Sequence, residues 1–302
     1  GAVGSEEADA AVWTSPDGVT WSRVPHDETV FGGEGRQQMF SVTAGGPGLV
    51  AVGYDGAVGS EEADAAVWTS PDGVTWSRVP HDAALGAADW QQMFSVTAGG
   101  PGLVAVGSTG LTRIHSDEDD GSGSTPLDAA VWTSVDGTTW SKVRYDEAAF
   151  GGEGAQQMTS VSTGGPGLVA VGYDMGTDEE EEDLPAFDAA VWTSPDGITW
   201  SRVPHTEEAL GGEGLVMMRS VTPGGPGLVA VGADGHDQSG WDAAVWTSPD
   251  GLNWSRVPDD EGELDGYDRM FSISVGFGSG LVAVGSRWGG HEPDDGAVVW
   301  KD

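Results

Sequence analysis

The sequence predicts an all-β chain, a five-bladed β-propeller of four-stranded antiparallel blades, closed by N-terminal strands that pair with the last blade. Three observations predict it. A Val-Trp-Thr-Ser segment recurs with its tryptophan at Trp13, Trp68, Trp132, Trp192 and Trp246, and a worn copy ends at Trp300, at spacings of 54 to 64 residues. Periods of this length, filled with short apolar runs and glycine turns, mark a repeat architecture. Each unit splits into four strand-sized pieces rich in Val, Trp, Phe and Thr, separated by Gly, Pro and Asp. The gaps alternate: two short turns, Gly-Gly-Pro-Gly and Ser-x-Asp-Gly, and two long segments that differ between copies. Short turns therefore share one face and long loops the other. Sheets repeated radially, each buried on both faces, make a propeller.

In the second unit the pieces are residues 92–97, 103–107, 129–134 and 139–143. Leu103-Val104-Ala105-Val106-Gly107 is apolar on both faces, as an inner strand between neighbouring sheets must be. Trp140-Ser141-Lys142-Val143-Arg144 carries charge and hydroxyls, as an outer strand should. Two tryptophans per unit are expected in the core, each burying ~150–250 Å² for at most ~4–6 kcal/mol. One strand is in surplus. Ala11 to Ser15 and Ala297 to Trp300 compete for one slot in the last blade, and the intact turn after Ser15 favours the N-terminal hairpin. Residues 1–27 repeat verbatim at 56–82, and a spare strand could pair with a neighbouring molecule. No linker interrupts the repeats, so residues 1–302 read as one domain.

Ser15-Pro16-Asp17-Gly18-Val19-Thr20-Trp21 resembles the Asp-box, or bacterial neuraminidase repeat, one residue tighter around the glycine than its commonest form. It recurs at 70–76, 134–140, 194–200 and 248–254, so the resemblance covers nearly the whole chain. It implies a turn between the third and outermost strands of a blade. It also implies a structural role for Asp17, Asp72, Asp136, Asp196 and Asp250, whose carboxylates accept N–H groups of their own turn. Sialidases carry the same repeat, with three arginines for the substrate carboxylate, a Tyr–Glu nucleophile and an acidic proton donor. Here the inner strands offer Arg36, Arg219 and Arg269, and the Arg-Ile-Pro motif of that family is missing. The likeness to sialidases stops at the scaffold.

Twelve Lys and Arg against 49 Asp and Glu give a net charge of −37. Such a surface repels nucleic acid and anionic lipid heads and suits high salt or a cell exterior, so an extracellular or cell-surface setting is favoured. No 18-residue apolar run is present, hence no membrane insertion is expected, and Gly1 to Gly4 is no signal peptide. Cysteine is absent. No cofactor is implied; calcium could sit on Asp174 with residues 178–183, or on residues 117–120. His115, His236 and His291 lie in three different loops without metal-ligand spacing.

Function should sit on the long-loop face. The tryptophans outside the repeat, Trp90, Trp241 and Trp288, fall there, as do Tyr54, Tyr145, Tyr173 and Tyr267. At the start of each inner strand stand Gln38, Gln92, Gln157, Met217 and Arg269. Trp90, Trp241, Trp288, Tyr54, Tyr173, Tyr267, Gln38, Gln92, Gln157 and Arg269 are therefore the expected ligand-binding residues. The reading this favours is a binding propeller for a glycan or a protein, and not an enzyme. Its alternative is a glycoside hydrolase-like enzyme with loop-borne carboxylates such as Glu34, Glu153 and Glu213.

Overall fold

A computed structural model describes all residues except 1–7, 34, 57–62, 87–89, 111–126, 153, 177–186, 213, 237–239, 259–263, 265–267, 277–279, 288–295 and 302. The chain divides into two compact units, Gly1–Arg144 and Tyr145–Asp302. The first holds a two-stranded hairpin, β1 (Trp13–Thr14) and β2 (Ser22–Arg23), then the helical turn α1 (Glu28–Phe31). Two four-stranded antiparallel sheets follow. One is β3 (Arg36–Gly45), β4 (Gly48–Gly56), β5 (Ala63–Ser70) and β6 (Ser77–Arg78); the other is β7 (Gln91–Gly99), β8 (Gly102–Thr109), β9 (Asp128–Ser134) and β10 (Trp140–Lys142).

The second unit opens with α2 (Glu147–Phe150) and the sheet β11 (Gln156–Gly164), β12 (Gly167–Met175), β13 (Phe187–Ser194) and β14 (Ser201–Arg202). After α3 (Glu207–Leu210) comes the sheet β15 (Leu215–Gly224), β16 (Gly227–His236), β17 (Gly240–Ser248) and β18 (Ser255–Arg256). One parallel bridge, Phe187 to Leu215, joins these two sheets. The last sheet has three strands, β19 (Asp268–Val275), β20 (Leu281–Arg287) and β21 (Gly296–Lys301). Among the described residues no helix is long and apolar enough to cross a membrane.

The strands follow the repeat closely. The apolar second strands are sealed: Val52, Val106 and Val171 are fully buried. Their tryptophan partners on the third strands, Trp68, Trp132, Trp192 and Trp246, are buried as well. Each indole N–H donates to a carbonyl in the segment leading into its own sheet: Val30, Ala84, Ala149 and Ala209, at 2.6–2.9 Å. The tryptophan thus fills the core and tethers the long segment above it, which satisfies its one donor.

The five Ser-x-Asp-Gly turns are built alike. In the last of them Asp250 accepts from the N–H groups of Leu252 and Asn253 at 2.9 and 2.8 Å, and Ser248 Oγ accepts from Gly251 N at 2.8 Å. Gly251 has φ +76°, a left-handed value that glycine adopts without strain. The donated N–H groups hold Asp17 and Asp250 down to about 2. Because the folded value lies below the unfolded one, this stabilisation is complete above about pH 4 and is lost as pH falls towards 2. Thermal unfolding of the chain should show its steepest loss of stability in that window. Asp250→Asn should lower the melting temperature at neutral pH yet flatten its acid dependence.

A feature absent from the sequence expectation recurs in all five inner strands. The ladder slips by one residue between Met39 and Ser41, Met93 and Ser95, Met158 and Ser160, Met218 and Ser220, and Met270 and Ser272. These β-bulges re-aim the extra residue, which is Phe40, Phe94, Thr159, Arg219 or Phe271. Opposite each bulge stands the glycine that ends Leu-Val-Ala-Val-Gly. A Cβ on Gly53, Gly107, Gly172, Gly232 or Gly285 would lie 1.7–2.0 Å from a carbonyl oxygen of the bulged strand. The glycine is there so that the bulge can close.

Two expectations are corrected. The slot beside β20, expected to take the N-terminal strands, is taken by β21 from Gly296 to Lys301, and among the described residues β1 and β2 pair with each other. β21 wins that slot because it follows β20 by a short connection, and a short loop forfeits less entropy than joining distant segments. As a result Trp13 and Trp21, expected in the core, are 55% and 61% exposed.

Candidate functional site

In the first unit the ladder places Gln38 opposite Tyr54, and Tyr54 stacks on Phe40 at 5.8 Å and on Trp90 at 6.4 Å. Phe40 meets Phe94 at 5.2 Å, and Gln92 faces Ser108 across the ladder. In the second unit Tyr173 donates its hydroxyl to Gln157 Oε1 at 2.7 Å, and Arg269 lies over the Trp241 ring at 4.3 Å. Seven of the expected binding residues thus form two aromatic and polar clusters, one per unit, and Gln92 stands at the margin of the first. Trp288 and Tyr267 lie outside the described residues, as do Glu34, Glu153, Glu213 and residues 117–120 and 178–183. Tyr54, Tyr173 and Trp241 are strand residues rather than loop residues. The ladders run past the central glycines, pairing Tyr54 with Ala65, Tyr173 with Ala189 and Gly235 with Trp241.

Sequence reasoning did not place Arg219 here. It stacks on Phe271 at 5.3 Å, and its Nε is buried without a hydrogen-bond partner. Burial, and then the neighbouring Arg269 guanidinium, lower its pKa. Burial raises the Tyr173 hydroxyl, which Arg219 partly offsets. The bulge that presents Arg219 was signalled only by the recurrent glycine on the adjacent strand.

A second cluster occupies the other face of the β12–β13 pair. The ladder sets Asp174 directly opposite Asp188. Asp174 accepts from Gln156 Nε2 at 2.7 Å and forms an ion pair with Arg202, which also stacks on Trp192. Its two oxygens each accept from one of these donors. Asp188 faces His205 at 3.9 Å, and His205 reaches Glu207 at 3.4 Å. Asp174, Asp188, Arg202, Pro204, His205 and Leu210 line a cavity of about 310 Å³. Burial raises the Asp188 carboxyl above its ordinary value, opposed by His205 and reinforced by Glu207 and Asp174. Arg78–Asp55 and Arg256–Asp234 repeat the arginine–aspartate pair, and the ladders set Asp64 opposite Asp55 and Asp242 opposite Asp234 in the same way. The raised Asp188 beside the cavity belongs to the third sheet.

Asp9, His26 and Glu28 are the three residues whose ligand atoms converge, within 4.8 Å of one another, among the described residues. All three are exposed, and His26 Nε2 contacts Glu28 at 3.1 Å and Asp9 at 3.7 Å as surface ion pairs do.

No family model and no curated protein matches this sequence. Solved structures do. A Bombyx mori GH32 β-fructofuranosidase in complex with sucrose aligns over 82% of this chain and 53% of its own, at 13% identity and a TM-score of 0.50. A thermostable family-43 glycoside hydrolase aligns over 87% of each chain at 13% identity and a TM-score of 0.46. The GH93 α-L-arabinofuranosidase of Fusarium graminearum with arabinobiose aligns over 68% of this chain and 60% of its own, at 18% identity and a TM-score of 0.43. The chain spans about half the length of the Bombyx enzyme. The likeness to the Bombyx structure supports an all-β fold of the propeller type. The expectation that the chain is not an enzyme is withdrawn, because the structure its fold resembles is that of a β-fructofuranosidase.

Proposed function

We propose that this chain is a glycan-acting enzyme of the glycoside hydrolase kind, with Asp188 as proton donor and Asp174 as the carboxylate across from it. The observation that carries the reading is Asp188, a carboxyl raised by burial at the wall of a cavity and opposite Asp174, whereas the opposed pairs Asp55–Asp64 and Asp234–Asp242 recur with the repeat. Directly opposed strand residues have Cβ atoms about 4.5–5.5 Å apart, a spacing that brings two carboxyl groups within reach of one glycosidic bond. Burial favours the protonated form of Asp188, which a general acid needs, while Asp174 is ion-paired with Arg202. Asp188 gives its proton to the leaving oxygen, Asp174 stabilises the positive charge that develops on the sugar, and water completes the hydrolysis. The attacking water returns its proton to the Asp188 carboxylate, which restores the acid.

The Tyr173 cluster lies on the opposite face of β12–β13 from the carboxylate pair, so on this reading the aromatic clusters are separate sugar-stacking surfaces: Trp241 and Tyr173 with Gln157 and Arg269 in one unit, Tyr54 and Trp90 with Gln38 and Gln92 in the other. Five blades fit the same scheme, four of four strands and a last one of three, with the five Asp turns as Asp-boxes. The test is a panel of fluorogenic glycosides. Asp188→Asn should lower turnover about 10²-fold or more with little change in melting temperature. Parent turnover should fall as pH rises through the raised pKa of Asp188. A panel on which the parent stays at the buffer blank, or on which Asp188→Asn equals the parent, would remove this assignment.

A further inference from the structure

Two arginines of the second unit break the pattern of the repeat. The bulge residue is Phe40, Phe94, Thr159 and Phe271 in four inner strands but Arg219 in β15. Two positions earlier stand Gln38, Gln92 and Gln157, but Arg269 in β19. Neither arginine serves the scaffold as the others on strands do. Arg78, Arg202, Arg256 and Arg287 each pair with an aspartate. Among the described residues no carboxylate pairs with Arg219 or Arg269, although the chain holds 49 Asp and Glu against twelve Lys and Arg. Two neighbouring guanidinium groups without an acid repel one another, and burial strips them of water. Folding alone does not favour that arrangement.

Their surroundings name a ligand. Arg219 lies over Phe271 at 5.3 Å and Arg269 over Trp241 at 4.3 Å, so aromatic faces carry both guanidinium planes, and their N–H edges are the part that can donate. The buried Arg219 Nε has no acceptor. Gln157 Oε1 takes the Tyr173 hydroxyl, and the Gln157 amide keeps its N–H donors to offer. Gln157, Tyr173, Arg219, Trp241 and Arg269 are partly exposed and Phe271 is exposed, so a ligand can reach the group. A guanidinium that lacks a carboxylate is completed by an oxyanion, to which its fork gives two parallel N–H bonds. Two forks and one amide make three donor groups. A sulfate or phosphate ester matches them with three terminal oxygens, whereas a carboxylate has two. The adjoining rings add apolar surface that suits the C–H face of a sugar.

We infer that Arg219, Arg269 and Gln157 form a binding site for a sugar that carries a tetrahedral oxyanion ester, sulfate or phosphate. The sugar half of this inference rests on the glycan reading proposed above; the oxyanion half stands on the arginine pair. The site is separate from Asp174 and Asp188, which lie on the opposite face of β12–β13.

Four ligands that share one ring make the test: galactose 6-sulfate, galactose 6-phosphate, galacturonate and galactose. Each is titrated at about 0.15 M salt, which screens repulsion by the acidic surface, and followed by tryptophan fluorescence. One or both esters should bind about tenfold or more tighter than galactose, and tighter than galacturonate. The better of the two esters identifies the source of the oxyanion. Arg219→Gln and Arg269→Gln should each remove the preference, and Arg219→Gln should raise the melting temperature of the free chain, since an uncompensated buried cation is gone. Asp188→Asn should keep the preference, so this inference and the hydrolase reading fail separately. Equal affinity for the four, tightest binding of galacturonate, or a preference that survives both glutamine variants overturns the inference. Inorganic sulfate bound as tightly as galactose 6-sulfate overturns its sugar half. The comparison of ligands on the unaltered chain stands even where a variant fails to fold.

Discussion

Gly172→Ala should destabilise the second unit by about 3 kcal/mol or more, at the upper end of what overpacking does. The new Cβ would lie 1.8 Å from the carbonyl oxygen of Gln157, a backbone atom that cannot swing aside. Relief requires the bulge at Met158 to Ser160 to open, which forfeits ladder hydrogen bonds and displaces Tyr173 from Gln157. Gly18→Ala is the control. Nothing lies within 4 Å of its Cβ, and only its φ of +74° opposes the change, so a loss of about 1 kcal/mol is expected. Urea unfolding of the two variants measures the difference. Equal losses would show that the bulge yields easily, and the close approach would lose its meaning.

The second large effect divides two tryptophans of identical sequence context. Trp68→Ala should destabilise the first unit by about 3–5 kcal/mol, since it empties a fully buried site and orphans the Val30 carbonyl. Trp13→Ala, in the same heptapeptide, should change stability by less than about 1 kcal/mol in the monomer. Differential scanning calorimetry at low protein concentration separates them. Comparable losses would mean that the hairpin is packed as its copy is.

These contrasts mark what was legible in the sequence. Strand positions were: residues 103–107 and 129–134 lie inside β8 and β9, because alternation and glycine turns act over a few residues. The Asp turns were legible for the same reason, each closing its bonds within four residues. The bulges were not, since they depend on register between strands; Gly53 and its counterparts were the signal, and they were read as strand ends. Trp13 and Trp68 could not be told apart, because their difference lies in neighbours supplied by distant segments. The carboxylate pair was missed likewise. Asp174 and Asp188 are separated by residues 177–186 and meet only through the β12–β13 register. Of the expected binding residues, Gln157 and Tyr173 meet because each was placed at the same end of adjacent strands.

The verbatim repeat also bears on how the chain finds its fold. While the first sheet assembles, β4 meets two equally good third strands, β5 and β1, which present identical residues to it. Only distance along the chain tells them apart: residues 57–62 separate β4 from β5, and residues 15–47 separate it from β1. The closure entropies of loops so different in length differ by about 1.5 kcal/mol, roughly a tenfold preference for β5. About one nascent chain in ten would then first seat the wrong hairpin and have to release it, giving a slow refolding phase that Val12→Pro, which removes a ladder donor from β1 alone, should abolish.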